Sequence, residues 1–223
     1  MRDNSHIGER IRKIRATLPE GVTLIAVSKY HTVEAIRVAY DAGQRDFGES
    51  KAQDLVAKYR ALPTDIKWHF IGHLQTNKVK YIAPFVHLIH SIDSYRLLCE
   101  VNRQGEKNGC RIACLLQIHI AQEDTKFGFT PDECLMMLER EDWRSLNNIE
   151  LCGIMCMASN TEEENQIAKE FAQAQELFKY IKEKHFPNEG RFNIISAGMS
   201  DDYPIAIAHG STHIRVGSSI FSE

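Results

Sequence analysis

Eight short strand-like runs recur along the chain, and helical segments lie between them. A charged helical segment at residues 3–17 precedes the first run, and after the sixth run Thr161 and Glu164 predict a capping box at a helix start. Alternation of strands and helices favours a parallel sheet covered by helices. The runs span residues 22–28, 45–50, 66–72, 86–92, 111–120, 149–157, 191–196 and 212–217.

Eight such units in 223 residues, without a linker, predict one closed barrel. We expect an α/β fold: a single-domain (β/α)8 TIM barrel over residues 1–223 with an extra N-terminal helix. An open, doubly wound sheet is the alternative. That fold normally carries a glycine-rich turn after its first strand, and here the turn reads SKYHTVE, so the barrel is favoured.

Charge and cysteine content exclude several classes of protein. A net charge of −3 and a pI near 6.4 give no indication of nucleic acid or an anionic membrane as partner. The start, MRDNSHIGERIRKIR, is too charged for a signal peptide or a membrane anchor. The six cysteines form no C-x-x-C pair, which favours reduced core thiols over a structural zinc site. We expect a cytoplasmic protein.

The first apolar run, VTLIAVSKYH, ends in Lys29. A surface lysine that opens a loop is the simple interpretation. In a TIM barrel, however, the active face lies at the carboxyl ends of the strands, and phosphate often binds at the loops after strands seven and eight. Those loops read SAGMSDD, with Ser200, and RVGSSIF, with Gly217 and Ser218. Both offer backbone N–H groups and hydroxyls to an anion.

Closure of the barrel links Lys29 to these loops. Strand one must pair with strand eight, about 4.8 Å away, so Lys29 lies beside the expected phosphate site. Partial desolvation would favour the neutral, nucleophilic amine of this lysine. An amine that meets an aldehyde held by a phosphate forms a Schiff base. The combination predicts pyridoxal 5′-phosphate (PLP) as the cofactor.

Arg215 is expected to point into the barrel, because alternation in THIRVG places it on one face with His213 and Gly217. A buried arginine requires a partner. A carboxylate is one candidate and a pyridine nitrogen is the other. Because arginine only donates, a ring nitrogen opposite it would stay unprotonated and would make the ring a weak electron sink.

Five segments resemble, in order and spacing, the pyridoxal phosphate homeostasis protein family. The resemblance implies a barrel like the N-terminal domain of alanine racemase, with PLP on Lys29 and its ring nitrogen facing Arg215. It implies that Ser200, Gly217 and Ser218 hold the phosphate, and His69 and Met199 are further cofactor-binding candidates. The segments are AVSKYHTVEAIRVAYDAG, DFGESKAQDL, WHFIGHLQTNKVKYI, GIMCMAS and SAGMSDDYPIAIAHGSTHIRVGSSIF.

The third of these segments makes His69 and three polar residues after it candidates for the barrel mouth: Gln75, Asn77 and Lys78. Two positions depart from the family pattern. Ser50 stands where many members have asparagine, and Ser222 replaces a glycine. The first departure leaves any cofactor contact from that position open.

The implied function is to bind, buffer or deliver PLP and so maintain vitamin B6 homeostasis, without robust catalytic turnover. Apo forms of PLP-dependent enzymes are the implied partners, and monomer and homodimer both remain open. A PLP-dependent amino-acid racemase is the alternative, but the similar racemases supply a second proton carrier from another domain. The sequence ends at Glu223, six residues after Gly217, so we expect that domain to be absent. A protein that has lost its cofactor is the third possibility.

Overall fold

The eight strands pair in chain order and close into a barrel, because β1 pairs with both β2 and β8 in parallel. The computed structural model describes residues 5–122, 127–140 and 142–222. The expected (β/α)8 barrel is confirmed, and the open sheet is excluded. The strands are β1 (Thr23–Val27), β2 (Asp46–Glu49), β3 (Lys67–Phe70), β4 (Leu88–Ile92), β5 (Ile112–His119), β6 (Ile149–Met157), β7 (Ile194–Ser196) and β8 (His213–Val216).

Helices cover the outside of the barrel. They are α1 (Ser5–Thr17), α2 (Val33–Asp41), α3 (Ala52–Ala61), α4 (Val79–Ile82), α5 (Tyr95–Asn108), α6 (Pro131–Glu139), α7 (Glu164–His185), α8 (Tyr203–Ala208) and α9 (Ser218–Phe221). Helix α1 is the extra N-terminal helix, and it buries Ile7, Ile11 and Ile14. Residues 3 and 4 of the helix expected there lie outside the described residues.

The capping box expected at Thr161 and Glu164 does not form. Helix α7 begins only at Glu164, and the Thr161 hydroxyl accepts a hydrogen bond from the Glu163 amide at 3.2 Å instead. The hydroxyl therefore stabilises the loop before the helix. A complete capping box forms at the start of α6, between Thr130 and Glu133.

The inside of the barrel has an apolar part and a polar part. Leu88, Leu115, Cys152 and Met155 form a small apolar cluster there, separate from the larger core between sheet and helices. The polar part contains Arg215 and is described below. None of the six cysteines is paired in a disulfide and four of them are buried, and burial raises the pKa of Cys134 and of Cys156 to about 12. Within the described ranges, no helix is long and apolar enough to cross a membrane.

Candidate cofactor site

Lys29 lies two residues beyond the end of β1, in a turn closed by a 3.0 Å hydrogen bond from the His31 amide to the Ser28 carbonyl. Tyr30 has φ of +69° and is the only described non-glycine residue with a positive φ. A left-handed tyrosine at the third position of a turn is unusual, and such residues concentrate at functional sites. Lys29 is the second residue of this turn.

The lysine is exposed, so the expected partial desolvation is not observed. The reason is its place in the turn, above the last paired residue of β1 rather than within the sheet. Its amine lies 5.9 Å from the ring centre of Tyr30, which is itself 77% exposed. Lys29 is therefore open to a ligand that approaches the carboxyl ends of the strands.

A buried ion pair fixes the residue before Lys29. Lys58 of α3 donates to the Ser28 carbonyl at 2.8 Å and to Glu49 Oε1 at 2.6 Å. The Ser28 hydroxyl donates to the same carboxylate oxygen at 2.6 Å. Glu49 and Ser28 are fully buried. This network holds the end of β1 against β2 and α3, and it thereby sets the backbone from which Lys29 projects.

The loops after β7 and β8 meet at Ser200. Its hydroxyl accepts from the Gly217 amide at 3.3 Å and from the Ser219 amide at 3.5 Å, and both amides belong to the start of α9. A Cβ on Gly217 would lie 3.3 Å from Val27. The absence of a side chain there thus lets α9 begin directly against the end of β1. Ser218 is exposed at the same helix start.

Met199 directly precedes Ser200 in the loop after β7. The Met199 amide donates to the carboxylate of buried Asp202 at 2.5 Å, while its side chain is 41% exposed. Gly198, with φ of +92°, packs so closely against Tyr203 that a Cβ would lie 2.8 Å from the tyrosine Cα. The Met199 side chain lines a cavity of about 810 Å³ that opens between the loops after β6 and β7.

Arg215 points into the barrel as expected and is only 4% exposed. Its guanidinium donates to the Ser196 carbonyl at 2.8 Å, to the Ser196 hydroxyl at 2.7 Å and to the Cys156 carbonyl at 2.9 Å. Among the described residues no carboxylate forms an ion pair with it, which removes that explanation for its burial. Burial lowers the pKa of Arg215 from its ordinary value.

These groups fit PLP. A guanidinium has five N–H donors, and the three hydrogen bonds to Ser196 and Cys156 leave two for a ring nitrogen. The Ser200 hydroxyl and the N–H groups of Gly217 and Ser219 fit a phosphate. Lys29 would provide the amine. Strand register brings the three parts together, since Ile25 pairs with Arg215 and Ala26 with Val216.

His69 does not reach the barrel mouth, which corrects one expectation. It lies inside the barrel, 1% exposed, because it is an inward-facing residue of β3 whose Nε2 bonds to Asp46 at the start of β2 at 3.0 Å. Gln75 and Lys78 do line a mouth cavity of about 240 Å³, together with Ser50. Asn77 is exposed in the short 3-10 turn between them.

Asp46, His69 and His87 form the one group of possible metal ligands found within the described residues. One ligand atom of each lies within 4.8 Å of the other two. Two of these three atoms already share the hydrogen bond between Asp46 and His69. A metal would therefore have to displace that bond.

The family described as "Alanine racemase, N-terminal domain" matches residues 3–223. A pyridoxal phosphate homeostasis protein of Helicobacter pylori is 36% identical over 204 residues, which cover 91% of this chain and 88% of that protein. The chain belongs to the pyridoxal phosphate homeostasis protein family. Another member, from Synechocystis, is 35% identical over 95% of each chain.

Solved structures agree with this membership. PipY of Synechococcus elongatus, 35% identical, covers 97% of this chain and all of its own. The TM-score is 0.91 for PipY without PLP and 0.87 for PipY with PLP bound. An alanine racemase of Clostridium difficile is similar in fold alone, with 14% identity and a TM-score of 0.76 over 55% of that chain.

Sequence reasoning did not single out three residues in or next to the candidate site. Ser219 was overlooked beside Ser218, although the second amide of a helix start is as available as the first. Asp202 could have been found as an acidic residue just before a helix. No local signal indicated His90, which lies in an apolar run yet is fully buried and bonds to Ser196 across the barrel at 2.9 Å.

Proposed function

We propose that this protein binds PLP at the carboxyl end of its barrel and buffers or delivers the cofactor, maintaining vitamin B6 homeostasis in the cytoplasm. The whole chain, residues 1–223, would act as one PLP-binding domain. Lys29 would hold the cofactor as a Schiff base. Ser200, Gly217, Ser218 and Met199 would surround the phosphate, and Arg215 would face the ring nitrogen.

The pairing of β1 with β8 carries this proposal. Gly217 lies against Val27, two residues before Lys29, which supports an amine next to an anion site. Membership in a family whose relatives are named for PLP homeostasis supports the cofactor, as does the similarity to PipY with PLP bound.

Arg215 supports a holding role over demanding catalysis. PLP supplies an electron sink when its ring nitrogen is protonated. A guanidinium can only donate a hydrogen bond to that nitrogen, which must then accept and remain unprotonated. Carbonyl and hydroxyl acceptors keep Arg215 in place, and no carboxylate among the described residues would compete with the ring nitrogen for it.

A transfer experiment tests the function. Protein loaded with PLP and freed of excess cofactor is mixed with the apo form of a PLP-dependent aminotransferase, and the recovered transaminase activity is followed. We expect recovery with wild-type protein and none with protein prepared from Lys29→Ala. Equal recovery from both proteins would contradict the proposal. Conversion of an L-amino acid to its D-isomer at a rate typical of enzymes would favour the racemase alternative.

A further inference from the structure

Five polar side chains of the barrel interior come from five different strands. Four of them are almost completely buried: His69, His90, Ser196 and Arg215 are exposed by 1%, 0%, 0% and 4%. The fifth, Asp46, is half-buried at the start of β2. Burial of so many polar groups is costly unless each has a hydrogen-bond partner.

These side chains form one continuous series of hydrogen bonds. His69 Nε2 lies 3.0 Å from Asp46 Oδ1, and His69 Nδ1 lies 2.9 Å from His90 Nε2. His90 Nδ1 lies 2.9 Å from the Ser196 hydroxyl, to which Arg215 donates at 2.7 Å. The series therefore runs from β2 through β3 and β4, crosses the barrel to β7, and ends at β8.

The direction of the protons follows from the two hydrogen bonds of the Ser196 hydroxyl. The N–H groups of Arg215 only donate, so the Ser196 oxygen accepts from it, and His90 Nδ1 is the one acceptor described for the serine proton. That nitrogen must then be an acceptor, which leaves the proton of His90 on Nε2, where it faces His69 Nδ1. His69 in turn carries its proton on Nε2 and donates to Asp46.

Asp46 requires the same direction from the opposite end. Burial raises the pKa of Asp46, the hydrogen bond from His69 and the charge of Lys67 lower it, and the net shift is downward, so the carboxylate is ionised and can only accept. Reversal would leave a nitrogen lone pair of His69 against this carboxylate. It would also leave the Ser196 proton without an acceptor, since the described hydrogen bonds of that hydroxyl are those to His90 and Arg215.

We propose that Asp46, His69, His90 and Ser196 are positioning residues that hold Arg215 toward the PLP ring nitrogen, with both imidazoles neutral and protonated on Nε2. The inference rests on the proposed function for its effect on PLP. The arrangement of the protons depends on this chain alone. It connects the amino-terminal face of the barrel to the cofactor site and gives His69 a role at a distance from the cofactor.

Nitrogen NMR of histidine-labelled protein without cofactor tests the arrangement directly. Two-bond correlations from the ring carbon-bound protons distinguish the two tautomers and the charged form, and His69→Gln and His90→Gln assign the signals. We expect both residues in the Nε2–H form. A signal from Nδ1–H or from imidazolium at either residue would overturn the inference, whether or not the protein binds PLP.

A second experiment tests the coupling to the cofactor. Asp46→Leu removes the acceptor, whereas Asp46→Asn keeps a carbonyl oxygen in its place. We expect Asp46→Leu to mix the tautomers of His69, to shift the absorbance maximum of bound PLP and to weaken PLP binding roughly two- to tenfold, the equivalent of one hydrogen bond. Asp46→Asn should retain the single tautomer and most of the affinity.

His87→Gln is the matched control, because His87 belongs to the same cluster but takes no part in the series. We expect this variant to leave the absorbance maximum unchanged. Ser196→Ala should shift the absorbance maximum of bound PLP. Ser196→Thr, which keeps the hydroxyl, should have the wild-type maximum. If Asp46→Leu and His87→Gln have the same effect on the cofactor, the coupling is wrong. If wild-type protein binds no PLP while the tautomers are as expected, the proposed function and the coupling to the cofactor fail, and the arrangement of the protons stands.

Discussion

The hydroxyl oxygen of Ser200 lies 3.3 Å from the backbone nitrogen of Gly217, so it connects the loop after β7 to the helix that follows β8. This contact brings a hydroxyl and two backbone N–H groups together within reach of the end of β1. An anion bound there would accept from donors that already converge. A side chain on Gly217 would crowd the end of β1, because even a Cβ there would lie 3.3 Å from Val27.

Ser200→Ala should weaken the binding of PLP about tenfold, because one hydrogen bond to a charged phosphate is lost. The binding of pyridoxal, which lacks the phosphate, should change little. Equilibrium titrations of both vitamers measure the difference, and Ser222→Ala, beyond the helix, is the control. Equal losses for the two vitamers would show that Ser200 does not hold the phosphate.

Arg215→Gln should retain the covalent attachment of PLP but shift the absorbance maximum of the bound cofactor. Glutamine cannot supply the charge that the guanidinium places near the ring nitrogen. The absorbance spectrum of the PLP-loaded variant measures this shift, and circular dichroism checks that the variant is folded. An unchanged maximum would place the ring nitrogen elsewhere.

Lys58→Met should lower the free energy of unfolding by about 3–5 kcal/mol, because it leaves the carboxylate of Glu49 buried without its cation. Urea denaturation at neutral pH measures the loss. The double variant Lys58→Met with Glu49→Gln removes the uncompensated charge and should recover part of the stability. A loss no larger than that of an exposed ion pair would indicate that the network does not anchor Ser28.

Stability should fall as the pH decreases from about 6.5 to 4, partly because of His213. Burial, followed by repulsion from His69, lowers the pKa of His213 to about 4, while Asp46 acts in the opposite direction. The unfolded chain protonates this histidine below about pH 6.5, so unfolding takes up a proton in that window. His213 therefore does not reduce the free energy of unfolding above pH 6.5, and its protonation reduces that free energy by about 3 kcal/mol between pH 6.5 and pH 4.

His213→Gln should therefore reduce the decline in unfolding free energy between pH 6.5 and pH 4, as measured by urea denaturation at several pH values. A residual decline is expected, because burial also lowers the pKa of His87 and of His90. If wild-type protein and the variant lose stability in parallel, His213 does not titrate as its surroundings indicate.

The sequence was sufficient to predict the barrel because each strand can be recognised in it as a short strand-like run between helical segments. The run at residues 149–157 corresponds to β6 residue for residue, and the apolar residues at helical spacing after it are all buried on α7: Ile167, Phe171, Ala174, Phe178 and Ile181. Alternation also placed Arg215 inside the barrel. Helix starts were less predictable, since Thr161 fits a capping pattern but bonds within a loop that continues to Glu163.

Contacts across the barrel could not be predicted. His90 and Ser196 are 106 positions apart in sequence and bond to one another through the barrel interior. Periodicity shows which face of a strand is inward, but the partner on the opposite wall depends on the stagger of all eight strands. The same limit applies to Lys29, whose exposure follows from the turn geometry at Tyr30 and not from the apolar run before it.

Reduction of PLP-loaded protein with borohydride, followed by peptide mass mapping, tests the central proposal most directly. The matched variants are Lys29→Ala and Lys51→Ala, the second removing another lysine near Tyr30. We predict one pyridoxyl phosphate adduct on Lys29 in wild-type protein and in Lys51→Ala, and none in Lys29→Ala. An adduct that persists in Lys29→Ala, or that maps to another lysine of the wild-type chain, would contradict the assignment of Lys29 as the residue that holds PLP.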